Sequence, residues 1–560
     1  MIMKWFKRDD GIFLGKQKDS IFYLGCDTKD REIWLDNNTL RQHILVSGTT
    51  GSGKTEALLG MFSNAFAWGS GGVYVDGKGD VSIYAKMYAL AEHYGRLNDL
   101  YVLNFMTRSE VAGAYMQTHR FNPFAKGSSD YLTSLITRLV PPEDYDKADK
   151  YGWRGKATAM FTGLMRALCW LRDHRGEAID AAVLYRSINL NNFIDLAYSE
   201  HYSFLPEPIR KSIRGYLSIL PSFREELGYE QAQTTKDEHG FLEMQFAKIF
   251  GEMAHSYGHI FCAGTSDIDF NDILWNRRFL CVMLPALEKS RDTISLLGRI
   301  ILAGLQQALC APLNEGGSAN VVGGVPFISV FDDVSYYMVD GLDLFVAQAR
   351  SMNVGVVFSC GDMTSLSKVS SATVGNIASC VSTKIIMRTC GSNAEVNDIF
   401  FDVVSARDDV ASGIDKLIGV DARGGSPKNS VFRSPSNAVK HLREGDFVLI
   451  SSGKLLLGRA NYIWSFIPMP KKLSGPTIAH DFAAAAARFI ELSEKERKAE
   501  TLQEVPHRML NEFLSPHEYA ASATEMLSLA LKALEPHGEG IVQGTPKTEK
   551  PEEEIIRIGE

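Results

Sequence analysis

Short apolar runs alternate with amphipathic stretches over the first hundred residues. The run His43-Ile44-Leu45-Val46 reads as a buried strand, and residues 56–62 open a helix behind it. Residues 72–75 read as a second strand that ends in Asp76-Gly77-Lys78-Gly79-Asp80. A helix over 81–94 and a third strand over 100–104 follow. Strands alternating with helices predict right-handed crossovers and a mostly parallel sheet. From about Leu132 the period changes: Leu135, Leu139, Met160, Phe161, Leu164, Leu168 and Trp170 recur at helical spacing, and strand runs are scarce until about Gly258. Strands then return at 278–284, 327–331, 354–358 and 383–387. Residues 447–450 and 454–457 form an expected hairpin around Ser452-Gly453.

The pattern predicts an α/β chain in five parts. Residues 1–125 are the first part of a nucleotide-binding domain, 126–258 an all-α domain, and 259–467 the rest of the nucleotide-binding domain. Residues 468–535 are a helical extension, with helices expected over 482–498 and 518–533, and 536–560 are an acidic tail expected to be disordered.

Between the first strand and its helix lies GTTGSGKT at 48–55, which fits G-x-x-x-x-G-K-[ST] without a mismatch and in the strand–loop–helix context that a P-loop requires. Gly48, Gly51 and Gly53 let the backbone, with Thr49, Thr50 and Ser52, wrap close around phosphate oxygens. The helix N-terminus adds positive potential, Lys54 reaches the β- and γ-phosphates, and the Thr55 hydroxyl is a Mg²⁺ ligand. ATP with Mg²⁺ is the expected cofactor pair. A glycine-rich turn that matches by chance is the bland alternative, and the flanking elements argue against it.

A P-loop hydrolase also needs an acid at a neighbouring strand end to hold Mg²⁺ and a carboxylate to orient the attacking water. FISVFDD at 327–333 supplies both, with Asp332 as the metal partner and Asp333 as the water-positioning group. An aspartate pair that merely caps the next helix is the competing reading. Asp76, Lys78 and Asp80 end a strand at the same edge; they face the nucleotide or a neighbouring subunit, or they form a plain polar turn.

Composition narrows the class without changing this picture. The 560 residues are 45% hydrophobic and 22% charged, ordinary for a globular chain. A net charge of −8 and a pI of about 6.0 exclude a protein that coats nucleic acid, while leaving room for a local basic channel. Eight scattered cysteines without a C-x-x-C pair read as reduced thiols in a cytoplasmic protein. The most apolar stretch, 294–313, carries Arg299, Gln306 and Gln307 and is too polar to span a bilayer. Residues 1–8, basic with Trp5 and Phe6, read as a frayed N-terminus ahead of a membrane-touching one.

With these residues assembled, the chain resembles the type IV secretion coupling proteins, the TraG/TraD group of ring-forming ATPases, and within it the DotL/IcmO branch. The resemblance spans about Phe22 to Ile463. It rests on GSGKTE at 51–56, YVDGKGD at 74–80, FNPF at 121–124, YGHIF at 257–261, NRRF at 276–279, LPALEKS at 284–290 and AQARS at 347–351. It implies a RecA-like motor interrupted by an all-helical domain that helps receive substrate at the cytoplasmic face of a ring. It further implies a homohexamer with ATP between subunits, in which Arg350 of AQARS completes the neighbour's site; an exposed helix-end arginine is the alternative. The implied partners are relaxase-bound DNA or effector proteins, the type IV secretion machinery at the inner membrane, and adaptor proteins on 482–533.

The chain departs from the family in three places. The family opens with transmembrane helices, whereas this chain starts almost at the motor, so attachment to the membrane is expected through a partner. Where the family ends its acidic strand Asp-Glu, this chain has Asp332-Asp333, one methylene shorter. Where a glutamine usually senses the γ-phosphate, Gly361 stands, with Asp362 beside it as a substitute candidate. A misplacement of about 1 Å costs on the order of a hundredfold in rate. Two other functions therefore stand beside the coupling motor: a nucleotide-binding coupling scaffold with weak or absent hydrolysis, and a DNA translocase of the FtsK/HerA kind.

Overall fold

The computed structural model describes residues 12–463, apart from 18–19, 107–117, 141–152, 315–324, 338–341, 362–376, 378–379, 390–438, 440–441 and 452–453. The helices expected over 482–498 and 518–533, the 536–560 tail, residues 1–8, Asp362 and the Ser452-Gly453 turn lie outside the described residues.

The described strands are β1 (Ile12–Leu14), β2 (Phe22–Asp27), β3 (Glu32–Leu35), β4 (Ile44–Ser47), β5 (Gly72–Asp76), β6 (Leu100–Asn104), β7 (Phe279–Met283), β8 (Phe327–Asp332), β9 (Val354–Cys360), β10 (Thr383–Met387), β11 (Asp446–Ser451) and β12 (Lys454–Ala460). They form one sheet in the order β1-β3-β2-β12-β11-β10-β4-β9-β8-β5-β7-β6. From β10 to β6 every pairing is parallel, and from β10 outward to β1 every pairing is antiparallel. This is a RecA-like α/β sheet with one strand, β9, between the phosphate-loop strand β4 and the acidic strand β8.

Strand periodicity sorts the core onto two faces. Leu45, Val73, Val75, Leu280 and Val282 face one layer. Ile44, Val46, Tyr74, Cys281 and Met283 face the other, against Leu58, Phe62 and Phe66 of the helix Lys54–Ala67 and against Ile83 and Met87 of the helix Val81–His93. Both layers are apolar, so the central strands read as continuous hydrophobic runs.

The antiparallel strands β1 to β3 carry no clear sequence signal. They are three, six and four residues long, and the register of β2 shifts between Tyr23 and Gly25, which breaks the alternation. The phosphate-loop helix is pinned to them by Asn64. Its side chain accepts the Tyr23 N–H at 3.0 Å and donates to the Tyr23 carbonyl at 3.0 Å.

Between the edge strand β6 and its neighbour β7, every described element is helical. The principal helices are Ser129–Leu139, Trp153–Arg175, Ala181–Ser187, Leu190–Tyr198, Glu207–Ser218 and Gln233–Gly251. Ser128, Asp180 and Asn189 cap three of them by accepting backbone N–H groups, as such residues do at helix starts. Phe161, Phe246 and Phe250 are buried in contact at their centre. Their core is continuous with one face of the sheet.

Two buried histidines hold elements together as neutral rings. His43, at φ 65° just before β4, donates from Nε2 to the Val346 carbonyl at 2.9 Å and accepts the Val356 N–H on Nδ1 at 3.2 Å. His239 donates to the Ile188 carbonyl at 2.9 Å and accepts the Tyr216 hydroxyl at 2.7 Å. Burial lowers both to about 4; the carbonyl partners oppose this, and for His43 the nearby Arg350 charge adds to it. Because the folded state refuses protons that the unfolded chain accepts below about 6.5, their contribution to stability is complete above that pH and declines as pH falls toward 4. Histidine NMR titration should show both rings neutral down to about pH 4; titration of either near 6.5 contradicts the buried geometry.

Candidate functional site

The parallel strands deliver three loops to one edge of the sheet. Ser47 ends β4 opposite Cys360 of β9, and Asp76 ends β5 opposite Asp332 of β8. The loop from Gly48 to Gly53 follows β4, and Lys54 begins the helix. Gly51 and Gly53 hold φ of 74° and 90°, and a Cβ on Gly48 would lie 2.7 Å from the Ser52 Oγ and 2.9 Å from the Met387 Cβ. The loop is therefore closed to side chains there, as a backbone cradle for an anion requires.

Lys54 is 5% exposed and turned inward, donating to the carbonyls of Gly48 at 2.7 Å and Thr49 at 3.3 Å. Burial holds its ammonium below the ordinary lysine range, against the pull of Asp333. The buried Ser52 hydroxyl has no hydrogen-bond partner among the described residues. A loop with an orphaned hydroxyl and a lysine resting on its own carbonyls fits a phosphate chain. Arg388, just past β10, closes the outside: its Nη2 donates to the Gly51 carbonyl at 2.6 Å, and its carbonyl accepts the Thr49 N–H at 2.9 Å.

Asp332 is 1% exposed and is held by three hydroxyls. Thr55 Oγ1 and Tyr74 Oη each donate to Oδ2 at 3.1 Å, and Ser359 Oγ donates to Oδ1. Burial and then the Asp333 charge raise its pKa, against the Ser359 and Tyr74 hydrogen bonds. The direct Thr55–Asp332 contact brings together the two groups expected to hold Mg²⁺; a hydroxyl and a carboxylate are the hard oxygen donors that ion takes.

Asp333 stands at φ 47°, its N–H donated to Ser359 Oγ at 2.9 Å. Its side chain makes no capping bond to the short 3₁₀ turn Val334–Tyr336. Its carboxylate pairs instead with the Lys78 ammonium. The Asp76–Asp80 turn thus divides its labour. Asp76 accepts the N–H groups of Lys78, at 3.0 Å, and Asp80; Asp80 caps the helix Val81–His93; the Lys78 side chain reaches Asp333 beyond the acidic strand. Burial first, and then the charge of Asp332, push Asp76 up to about 7, against the two N–H donors.

Arg350 is not part of this cluster within one chain. It follows the helix Leu342–Ala349 and precedes β9, and Asn353 beside it pairs with Phe327 at the start of β8. Asp332 ends that six-residue strand, so Arg350 lies at the opposite edge of the sheet, about 17 Å away along the strand. Gly361 follows β9 beside the phosphate loop, and a Cβ there would meet nothing among the described residues within 4 Å.

Tyr74, Ser359 and Arg388 were not legible as site residues, since each becomes one only when the strand order is known. Other motif stretches serve as joints. Asn122 of FNPF donates to the carbonyls of Ile179 at 2.7 Å and Ala263 at 2.8 Å, tying the helical segment to the sheet. Tyr257 of YGHIF is buried against Phe105 and Phe261.

The fold and the site define a RecA-like P-loop protein. A family model for conjugative DNA transfer by type IV secretory systems matches residues 2–199. Over 391 residues the chain is 35% identical to the type 4 coupling protein DotL of Legionella pneumophila, which covers 66% of this chain and 50% of that protein. The chain thus spans half the length of that relative. Among solved structures, the unbound conjugative coupling protein TrwB matches with a TM-score of 0.52 and 12% identity, over 82% of this chain and 92% of that one. TrwB in complex with ADP and Mg²⁺ matches with a TM-score of 0.52 and 11% identity, over 82% and 91%. The chain is similar in sequence to a type 4 coupling protein, and its likeness to TrwB is one of fold.

Ser359→Ala should leave a buried carboxylate oxygen and a buried N–H without a partner, lowering stability by about 1–3 kcal/mol. Urea denaturation measures this, and an unchanged midpoint would show that the Ser359 hydroxyl bonds hold nothing.

Proposed function

We propose that this chain is the ATP-driven motor of a type IV coupling protein, a homohexamer that receives DNA or protein substrates and drives their transfer into a secretion or conjugation channel. The observation that carries the reading is the Thr55–Asp332 contact beneath an intact phosphate loop, in a chain 35% identical to DotL. The matched TrwB structure with ADP and Mg²⁺ supports a nucleotide and Mg²⁺ as ligands here. No helix among the described residues is long and apolar enough to cross a membrane. A partner protein at the inner membrane, and adaptor proteins on 482–533, complete the proposal.

The chain's own residues divide the work. Residues 48–53 bind phosphate oxygens through backbone N–H groups, and Lys54 leaves the Gly48 and Thr49 carbonyls to neutralise charge on the β- and γ-phosphates. Thr55 and Asp332 would hold Mg²⁺, which would supply neutralisation of charge developing on the transferred phosphoryl group. Asp333 orients water. Arg350, too far from its own chain's loop, acts at the neighbouring subunit's site.

A second reading, a coupling scaffold that binds ATP with little turnover, is favoured by two features: Asp333 is engaged by Lys78, and Gly361 offers no amide to the γ-phosphate. Steady-state ATP hydrolysis by the assembled protein with single-stranded DNA separates the readings. The motor reading expects turnover that Lys54→Ala abolishes; tight ATP binding without turnover leaves the scaffold. The shared site makes its own prediction. Lys54→Ala and Arg350→Ala subunits, each inactive alone, should recover partial turnover when mixed, because some interfaces then pair an intact Lys54 with an intact Arg350. Absence of recovery in mixed rings removes Arg350 from the site.

A further inference from the structure

We propose that Lys78 is a sensor of the terminal phosphate: it clamps Asp333 while the site lacks a triphosphate and moves to the γ-phosphate when one binds, freeing Asp333 to orient water. This rests on the nucleotide-binding reading above and assigns a role to a residue at the end of β5.

The geometry supplies a donor, an acceptor and room. Lys78 lies two residues beyond Asp76 and Asp333 one beyond Asp332, and Asp76 and Asp332 are direct partners in the parallel β5–β8 register. The two side chains meet as an ion pair across the strand ends. The backbone under Lys78 is set by Asp76, whose carboxylate accepts the N–H groups of Lys78 and Asp80, so the ammonium is carried on a fixed turn. The side chains differ in freedom: Asp333 is 5% exposed and Lys78 is 37% exposed. The aspartate is therefore the buried half, while the lysine stem has solvent on one side and can swing.

The pair also sits where a phosphate sensor is needed. Lys54 is close enough to feel the charges of both Asp333 and Lys78, so the clamp borders the group that reaches the β- and γ-phosphates. At the neighbouring strand end, Gly361 has no side chain to donate. Asp332 is occupied by Thr55, Tyr74 and Ser359, whereas the carboxylate of Asp333 is met by Lys78. A carboxylate held by an ammonium is a poor acceptor for a water proton. Moving that ammonium onto a phosphate oxygen exchanges one charge-assisted hydrogen bond for another, and the water that Asp333 then orients replaces the partner its buried carboxylate loses. A diphosphate does not extend to the γ position, so the clamp stays closed in the product state.

Equilibrium binding of fluorescent ADP and of a non-hydrolysable ATP analogue, on the full chain, tests this without relying on turnover. Lys78→Met should leave ADP affinity within about twofold and weaken the analogue about tenfold or more, the effect of losing one hydrogen bond to a charged group. Lys78→Arg should restore most of the preference. Asp333→Asn should tighten the analogue by freeing Lys78, and that gain should vanish in the Lys78→Met background, the coupling that a double-mutant cycle isolates. Equal losses for ADP and analogue, or a gain from Asp333→Asn that survives in the double variant, would overturn the sensor. If Lys78→Met does not fold, Asp333→Asn and Lys78→Arg decide alone, since tightening in the first with retained discrimination in the second is required. Wild-type protein that binds neither nucleotide would sink the functional reading itself, which is a different result from a binding protein indifferent to Lys78.

Discussion

A single buried carboxylate organises the site edge of the sheet. Asp332 has almost no contact with water, and an ionised group there costs several kcal/mol unless its oxygens are engaged. Three hydroxyls meet it: Thr55 from the phosphate-loop helix, Tyr74 from β5 and Ser359 from β9. These come from three separate elements, so satisfying one charge aligns the ends of three strands and the start of a helix. The Ser359 hydroxyl does double duty by accepting the N–H of Asp333, whose left-handed backbone then points the second carboxylate toward β5. Placement of the phosphate loop relative to the acidic strand is thus a consequence of polar satisfaction as much as of apolar packing.

The apolar layers supply the rigidity that makes those distances meaningful. Phe62 packs edge-on against Tyr74 and Phe279, one face of the helix Lys54–Ala67 against two strands. Tyr74 joins the two systems, with its ring in that layer and its hydroxyl on Asp332. Gly60 brings the same helix against the loop after β12, where a Cβ would come 2.5 Å from the Asn461 carbonyl. The helix that begins with Lys54 and Thr55 is fixed on three sides.

What was legible in the sequence follows from which signals are local. The phosphate loop, the acidic pair and the parallel strands each announce themselves within ten residues, by a motif or by an unbroken apolar run, and all appear in the fold. So do the late hairpin and the helical stretch between β6 and β7. The three N-terminal strands were not legible, because β2 is irregular at Tyr23 and β1 has three residues; Asn64 and the strand β12, both far along the chain, complete their hydrogen bonding. The split of the Asp76–Asp80 turn into a turn-former, a cap and a reaching lysine was equally hidden. All three residues are charged and adjacent, and nothing but the neighbouring strand end distinguishes them. Ser359 and Arg388 belong to the same class: their roles are set by partners nearly thirty and over three hundred positions away.

The motor proposed above would have to pass a change at the phosphates to whatever holds its substrate, and the strand order offers such a change a short way out. From β8 the contacts run to the Asp76 end of β5, and the Asp76 carbonyl accepts the Leu284 N–H at 2.9 Å, at the end of β7. The chain then enters the helix Arg291–Asn314. Thr293 of that helix donates to Glu252 at 2.9 Å, and Arg299 donates to the Leu139 carbonyl at 2.8 Å, both within the helical segment. Packed cores switch between discrete arrangements rather than deform smoothly, so a path of strand-end hydrogen bonds and backbone leading into a helix packed on the helical segment is suited to carry a two-state signal. The Lys78–Asp333 pair sits at the first link of that chain. In the proposed sensor, an ammonium that closes on either the Asp333 carboxylate or a phosphate is a two-state element, and its place at the start of that route would give phosphate occupancy a mechanical address.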